Sequence, residues 1–355
     1  MPVRLFAGKL EQYAKEFTGY GNSCLIVTGK SSAKNGSLDD VTKILSDNGI
    51  TYTVFNGIEE NPSTETVDKA AEVARRENVS FIIAIGGGSP MDAAKAISLL
   101  AKNSWLKAMD LYQPMDIEGL PMVAVPTTAG TGSEATPFSV LTIHEKKIKQ
   151  SIVNNIFFEK AFLDGSYMTG LPEQYTLSTA VDILSHLVEG YLTVKASFIS
   201  DRIAEGGLLA FGKLLPQLVN RNFTSVVRNE LLYTSSLAGM VITQSKTSLC
   251  HQLGYFLTYN NGMPHGFANA VLMAEFLKFH KDRSKVEAIL RLLNVKNEDE
   301  LKDILKNVTT FDVKVTHEQL VSYAKEAAAN KSRLAIHPYP VTEKDILTIL
   351  ENSLL

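Results

Sequence analysis

An α/β domain with a parallel sheet, followed by an all-helical domain, is the fold this sequence predicts. Three observations predict it. Up to about residue 165, short β-branched runs alternate with amphipathic stretches of helical period. From about 166, apolar residues recur near i, i+3, i+4 in one segment after another. The change falls at a short join, "FLDGSYMTGLP", with no long linker. Strand, helix, strand, helix at this rhythm indicates a parallel sheet with helices on its faces. A chain of 355 residues is long enough for two such domains, expected at 1–165 and 166–355.

Taken in order, "SCLIVTG" (23–29) reads as a strand, followed by a helix near 37–49 and a second strand, "TYTVFNG" (51–57). "TETVDKAAEVARREN" (64–78) is amphipathic at helical spacing, and "SFIIAIGGG" (80–88) is an apolar strand running into glycines. "PMDAAKAISLLAKN" (90–103) is helical, and "PMVAVPTTAGTGSE" (121–134) is a strand running into a loop. The second half holds long helical runs, from "PEQYTLSTAVDILSHLVEGYLTV" to the C-terminal "TEKDILTILENSLL". Pro172 suits a first-turn position, and Thr342 can cap the last helix with Asp345 three residues on.

Composition narrows the function classes. Hydrophobic residues make up 45% and charged ones 21%, with a net charge of −3, so nothing favours nucleic acid or an anionic membrane surface. Two cysteines, Cys24 and Cys250, sit inside apolar runs, which argues against a disulfide framework or a cysteine-based zinc site. "MPVRLFAGKLEQYAKEF" lacks the apolar core of a signal peptide, and no run approaches the ~18 apolar residues of a membrane span. A soluble cytoplasmic protein is expected.

Two loops carry cofactor chemistry. Gly86, Gly87, Gly88 and Ser89 stand where an apolar strand meets a helix, with Pro90 near its start and Asp92 in its first turn. Glycines let a ligand approach the backbone, and the free N–H groups of a helix N-terminus suit a phosphate. The same turn also occurs with no ligand, and it is not the G-x-G-x-x-G fingerprint. The second loop, "VPTTAGTGSEATPF", sets Thr127, Thr128, Thr131 and Ser133 among two glycines. Together the loops favour a dinucleotide at the strand ends of an open sheet.

Four side chains carry metal chemistry. Asp182 and His186, at i and i+4 in "TAVDILSHLVEG", share one helical face. Both a structural Asp–His pair and a pair of metal ligands fit that spacing. "SLCHQLGYFLTYNNGMPHG" adds His251 in a helical run and His265 after a Gly/Pro turn. His144, His280, His317 and His337 lie in charged or loop-like segments and read as solvated. One Asp and three His make a first shell for Fe²⁺ or Zn²⁺.

With the Gly-rich turn, "VPTTAGTGSE", "DILSHLVEG" and the spacing from His251 to His265 in this order, the sequence resembles the iron-containing (group III) alcohol dehydrogenases. The resemblance covers most of the chain and is weakest over the last 60 or so residues. It implies a dinucleotide-binding N-terminal domain, an all-helical C-terminal domain, and hydride transfer between NAD(P) and a primary alcohol or aldehyde, commonly in dimers. Carried over by position, it implies Asp182, His186, His251 and His265 as metal ligands, with His251 and His265 central to catalysis. It implies Gly87, Gly88, Ser89 and Asp92 as the pyrophosphate loop, Thr127, Thr128 and Thr131 as the second cofactor loop, and Asn61 and Lys149 as further cofactor contacts.

Two departures from the family pattern matter. Many members carry a second histidine four residues after the third ligand, thought to relay the proton; here that position is Tyr255. NAD-preferring members end the first strand with an Asp that bonds the adenosine ribose, whereas this chain has Gly29 in "VTGKSSAKNG". Removing that charge makes room for a 2′-phosphate, to which Ser31, Ser32 and Lys34 can donate. This resembles the NADP-using branch that includes propanediol and butanol dehydrogenases, with NAD as the alternative cofactor. Phe138, Phe256 and Tyr259 suggest an apolar, modest-sized substrate.

Rival readings on the same plan are an NAD-dependent glycerol dehydrogenase, a metal-free maleylacetate reductase and a phosphate-eliminating cyclase of the dehydroquinate synthase type. The four ligands disfavour the reductase, and the lack of basic residues near "GMPHG" disfavours the cyclase. A non-catalytic metal and nucleotide binder is the remaining class.

Overall fold

The computed structural model describes residues 3–355. The strands of its first part are β1 (Arg4–Ala7), β2 (Ser23–Thr28), β3 (Thr51–Phe55), β4 (Phe81–Gly86), β5 (Met122–Pro126), β6 (Val140–Ile143), β7 (Ile148–Ser151) and β8 (Lys160–Leu163). Helices α1 (Ser37–Asp47), α2 (Thr64–Arg76) and α3 (Gly88–Lys102) alternate with them. Six strands form one sheet in the order β1-β8-β5-β4-β2-β3, with every neighbouring pair parallel.

The central strands β2, β4 and β5 are buried nearly throughout, which is why they read as continuous apolar runs without alternation. Phe17, Leu45, Phe81, Ile83, Val123 and Phe162 belong to the core beside this sheet. The α2 helix is held at its start by Ser63, whose Oγ accepts from Thr66 N.

β1, β8 and the antiparallel hairpin β6–β7 go beyond the strands expected from the sequence. Each has four residues, too few for a period to stand out.

The helical part comprises α4 (Glu173–Leu192), α5 (Phe198–Val219), α6 (Ser225–Ser245), α7 (Leu249–Asn261), α8 (His265–Phe279), α9 (Arg283–Leu293), α10 (Glu298–Val308), α11 (His317–Ala329), α12 (Lys331–Leu334) and α13 (Glu343–Leu354). The chain divides into two compact units. One runs to Thr128 and resumes at Ser133–Gly170; the other comprises Ala129–Gly132 and Leu171–Leu355. The second cofactor loop is therefore divided: Thr127 and Thr128 pack with the sheet, while the four residues that follow pack with the helices.

One apolar run of the sequence, 226–255, proves to be two helices. Lys246 adopts φ +67°, which breaks the ladder after α6 and restarts the chain as α7. Pro172 stands at the N-cap of α4, one position before its first turn. Thr342 and Asp345 do form a capping box at α13. Both cysteines are free and buried.

His280 and His337 correct the expectation of solvated side chains. Both are buried in an aromatic cluster with Phe276, Phe279 and Tyr339. Among the described residues, no helix is long and apolar enough to cross a membrane.

Candidate metal centre and cofactor loops

The candidate residues fall into two groups, one in each unit. In the sheet unit, β4 ends at Gly86 with φ +147°, and a Cβ there would stand 2.6 Å from the Pro90 ring. A Cβ on Gly87 would stand 2.7 Å from Thr128 Oγ1, so the two loops lie against each other and only glycine permits it. Thr127 N donates to Gly86 O at 2.9 Å, which completes the junction. Gly88 then opens α3, and Ser89 Oγ accepts from Asn61 N at 3.1 Å.

Asn61 is in the left-handed region at φ +57°, and its carbonyl accepts from Thr142 Oγ1. Thr142 pairs with Lys149 across the β6–β7 hairpin. Gly87, Gly88, Ser89, Asn61 and Lys149, expected to share a cofactor, are thus linked through one connected set of contacts. Thr142, which joins them, had no signal beyond its place in a short strand.

Two of the expected cofactor residues point elsewhere. Ser32 is buried; its Oγ accepts from Thr28 Oγ1 at 2.8 Å and contacts Gly29 O at 3.3 Å, so the hydroxyl is spent inside the turn. Ser31 and Lys34 in the same turn are exposed. Asp92 is likewise committed internally. Its Oδ1 accepts from Ser133 Oγ at 2.6 Å and its Oδ2 from Val140 N at 3.0 Å.

Beside Asp92 the ammonium of Lys95, fully buried, donates to Ser133 O, Ser133 Oγ and Phe138 O at 2.7–2.8 Å. Burial pushes the Lys95 pKa down to about 8 against the pull of Asp92 and Glu134. Asp92 and Lys95 together brace the later half of the second loop, Ser133 and Phe138, and the start of β6.

In the helical unit, α4, α7 and α8 bring Asp182, His186, His251 and His265 together. One ligand atom from each of Asp182, His186 and His251 lies within 4.8 Å of the others, and all three residues are buried. His251 Nε2 is 3.6 Å and His265 Nε2 is 3.9 Å from Asp182 Oδ1, while His186 Nδ1 is 4.0 Å from Asp182 Oδ2. The rings of His186 and His251 stack at 4.6 Å, and Tyr255 stacks on His265 at 5.2 Å.

Close helix packing makes the convergence possible. A Cβ on Gly266 would lie 1.8 Å from Ser178 O, and one on Gly254 would lie 2.1 Å from Asn269 Oδ1. Gly266 therefore lets the start of α8, with His265 beside it, press onto α4. Gly254 does the same between α7 and α8.

The surroundings of the four side chains decide what they can hold. Glu189, seven residues after Asp182 on α4, is fully buried. Its Oε1 accepts from the backbone N–H groups of Ser248, Cys250 and His251, capping α7, and its Oε2 meets His251 Nδ1. A carboxylate there fixes the His251 proton on Nδ1 and leaves the Nε2 lone pair facing Asp182. His186 Nδ1 lies 3.3 Å from Gly130 O, and since a carbonyl only accepts, that nitrogen carries the proton and Nε2 is free.

His251 Nε2 is buried with no hydrogen-bond partner. A buried lone pair aimed at a carboxylate, with no proton between them, is a costly arrangement that a shared cation would relieve. The donor set of one carboxylate and three imidazoles therefore fits a divalent transition metal.

The electrostatics agree. Burial acts to raise the Asp182 pKa, but the three imidazoles and the Asn269 amide outweigh it and hold it below the usual carboxylate value. Burial drives the His251 pKa well below that of free histidine, so the imidazole stays neutral, as a ligand must. Glu189 is pushed up to about 7 by burial, against the backbone N–H groups that favour its ionised form.

Glu189 and Asn269 escaped the sequence reading. Asn269 Nδ2 donates to Asp182 Oδ1 at 3.1 Å and lies 3.3 Å from His265 Nε2. The available signals were spacings: Glu189 is three residues beyond His186, and Asn269 four beyond His265. Of the expected pocket residues, Phe256 stacks on Tyr323 and Tyr259 is exposed.

Both parts of the chain resemble known proteins. The family model described as iron-containing alcohol dehydrogenase matches residues 2–165, and the model for the C-terminal part of the same family matches 176–354. The chain is 35% identical over 268 residues to 1,3-propanediol dehydrogenase of Klebsiella pneumoniae, covering 73% of this chain and 68% of that protein. It is 31% identical over 320 residues to NADPH-dependent butanol dehydrogenase of Clostridium saccharobutylicum, covering 87% and 81%. The crystal structure of an iron-containing alcohol dehydrogenase from Thermotoga maritima matches with a TM-score of 0.90 at 38% identity, covering 100% of this chain and 98% of that one.

Proposed function

The chain belongs to the iron-containing alcohol dehydrogenase family, and from that premise we propose that it transfers a hydride between NADP(H) and a small primary alcohol, diol or aldehyde. Asp182, His186, His251 and His265 would hold the metal, with Fe²⁺ as the expected ion and Zn²⁺ as the alternative. The observation that carries this reading is the unpartnered Nε2 of His251, buried and facing Asp182 at 3.6 Å. A divalent ion there supplies Lewis-acid polarisation of a substrate oxygen.

The chain's own residues supply the rest. Asp182 brings the negative charge, Glu189 and Gly130 O hold the tautomers of His251 and His186, and Asn269 fixes the Asp182 carboxylate. Tyr255, stacked on His265 with much of its ring exposed, has its hydroxyl pKa raised by local desolvation, so it stays protonated near neutral pH and can pass a proton on. Gly86–Ser89, Thr127 and Thr128 offer backbone N–H and hydroxyl groups to the dinucleotide, with Asn61 and Lys149 beside them and Thr131 as a further donor.

The preference for NADP over NAD rests on Gly29 in place of an acid and on the exposed Ser31 and Lys34. The likeness to a butanol dehydrogenase that uses NADPH supports the same preference. A homodimer acting in the cytoplasm is part of the proposal.

The test is direct. Protein purified without air is assayed for metal content and for oxidation of NADPH and NADH with a panel of aldehydes. We expect metal-dependent turnover with a higher kcat/KM for NADPH, and loss of both metal and activity in His265→Ala. Full activity in a metal-free preparation would refute the metal role, and a clear NADH preference would refute the cofactor assignment.

A further inference from the structure

Arg333 lies near the end of the chain on the short helix α12, far in sequence from every motif of the site. Its guanidinium carbon is 5.8 Å from the centroid of the Tyr255 ring, and that ring stacks at 5.2 Å on His265. The segment that carries it is tied down. Asn330 Oδ1 accepts from Arg333 N at 3.2 Å, and just upstream Gln252 of α7 donates to Ala327 O at 2.9 Å.

Arg333 thus carries its positive charge against the one ring that separates it from His265. Among the described residues, no carboxylate forms an ion pair with the guanidinium, which lies against the ring and hydroxyl of Tyr255.

A guanidinium with no carboxylate partner, beside a site proposed to hold a divalent ion, faces like charge once that ion is bound. The arrangement becomes favourable when an anion joins it. A guanidinium presents a planar fork that matches a carboxylate or similar oxyanion with two hydrogen bonds. The two ring steps from His265 through Tyr255 to Arg333 span the length of a small molecule. The aromatic residues expected to line an apolar pocket do not include this charge.

We propose that Arg333 binds the anionic end of the substrate, so that the site prefers a short aldehyde or alcohol carrying a terminal carboxylate or related oxyanion over an uncharged one. This rests on the reading of the chain as a metal-dependent dehydrogenase.

Two measurements on the whole protein test it. In the first, kcat/KM is compared for 4-oxobutanoate and for butanal, similar in length but differing in charge. A charged hydrogen bond of the usual strength predicts a preference of about 10- to 100-fold for the acid. Arg333→Met should abolish that preference through the KM of the acid, and Arg333→Lys should restore part of it. In the second, 4-hydroxybutanoate and 1-butanol are titrated calorimetrically into protein free of nicotinamide, where no turnover occurs. Only the acid should bind, and Arg333→Met should lose that binding.

Equal turnover of both aldehydes with no binding of the acid would overturn the role of Arg333 while leaving the dehydrogenase reading intact. An equal loss on both aldehydes in Arg333→Met would also overturn it, assigning the residue to packing. No turnover of any aldehyde by metal-loaded protein would refute the dehydrogenase reading itself, and the titration would still report on Arg333.

Discussion

Glu189→Gln isolates the part of the proposed metal site that lies behind its candidate ligands. The substitution keeps the volume and one acceptor oxygen but turns the other oxygen into a donor. If the amide oxygen keeps the place of Oε1, it still accepts from Ser248, Cys250 and His251 at 3.2, 2.7 and 3.3 Å. The amide NH₂ then faces His251 Nδ1, which must give up its proton to accept. The proton moves to Nε2, the one nitrogen aimed at Asp182, and the lone pair needed by a metal is lost.

Outer partners of this kind are worth about 10- to 100-fold in metal affinity, or about 1.4–2.7 kcal/mol. Turning the amide the other way spares the tautomer but sets an NH₂ against three backbone donors. Each group left unsatisfied costs about 1–3 kcal/mol. Competition against a chelator measures the affinity, and thermal unfolding of metal-free protein measures the cap separately. We expect weaker metal binding with a modest loss of stability. Glu189→Ala should cost about 3–5 kcal/mol, because it strands the buried imidazole and the α7 N-terminus together. Wild-type metal affinity in Glu189→Gln would refute the claim that this carboxylate sets the His251 tautomer.

The remaining predictions concern the scaffold. Lys95, whose pKa burial lowers from 10.5 to about 8, is a buried cation below pH 8, and holding that charge costs stability. Between pH 8 and 10.5 the unfolded chain binds more protons than the folded one. The contribution of Lys95 should therefore improve as pH rises through that window, by up to about 3 kcal/mol. The measurement is the difference in unfolding free energy between wild type and Lys95→Met from pH 7 to 10, and a flat difference would count against the depressed pKa. Gly266→Ala sets a Cβ 1.8 Å from the Ser178 carbonyl, a backbone atom that cannot step aside. It should cost about 1–3 kcal/mol or more and reduce bound metal, as read by melting and metal analysis. Gly206→Ala, with nothing within 4 Å on an exposed face of α5, is the opposite control and should gain about 0.5–1 kcal/mol.

Sequence and structure divide along the range of the interactions involved. Period and composition suffice for the parallel sheet, the helical second part and the strand-to-helix glycine turn, because each is a pattern of neighbours in the chain. Asp182 and His186 were legible for the same reason, since residues four apart on a helix share a face whatever else the protein does. His251 and His265 were legible as candidates, but only helix packing around Gly266 and Gly254 brings them to Asp182.

What escaped the sequence was decided by contacts between distant segments. Glu189 sits in the same stretch as Asp182, yet its function depends on the N-terminus of a helix sixty residues later. Asp92 looks like a phosphate-loop residue until Ser133 and Val140 occupy both its oxygens. Ser32 looks like a donor to a cofactor until its hydroxyl turns onto Thr28 and Gly29. His280 and His337 look solvated until the rings of Phe276, Phe279 and Tyr339 close around them.

The sequence by itself determined the class of chemistry, because four ligand-type residues and two loops are local patterns of residue identity. Only the tertiary structure decided which polar groups face inward, which brace one another, and which cation stands beside Tyr255. Burial and orientation arise from how helices pack, and packing is a property of the whole chain.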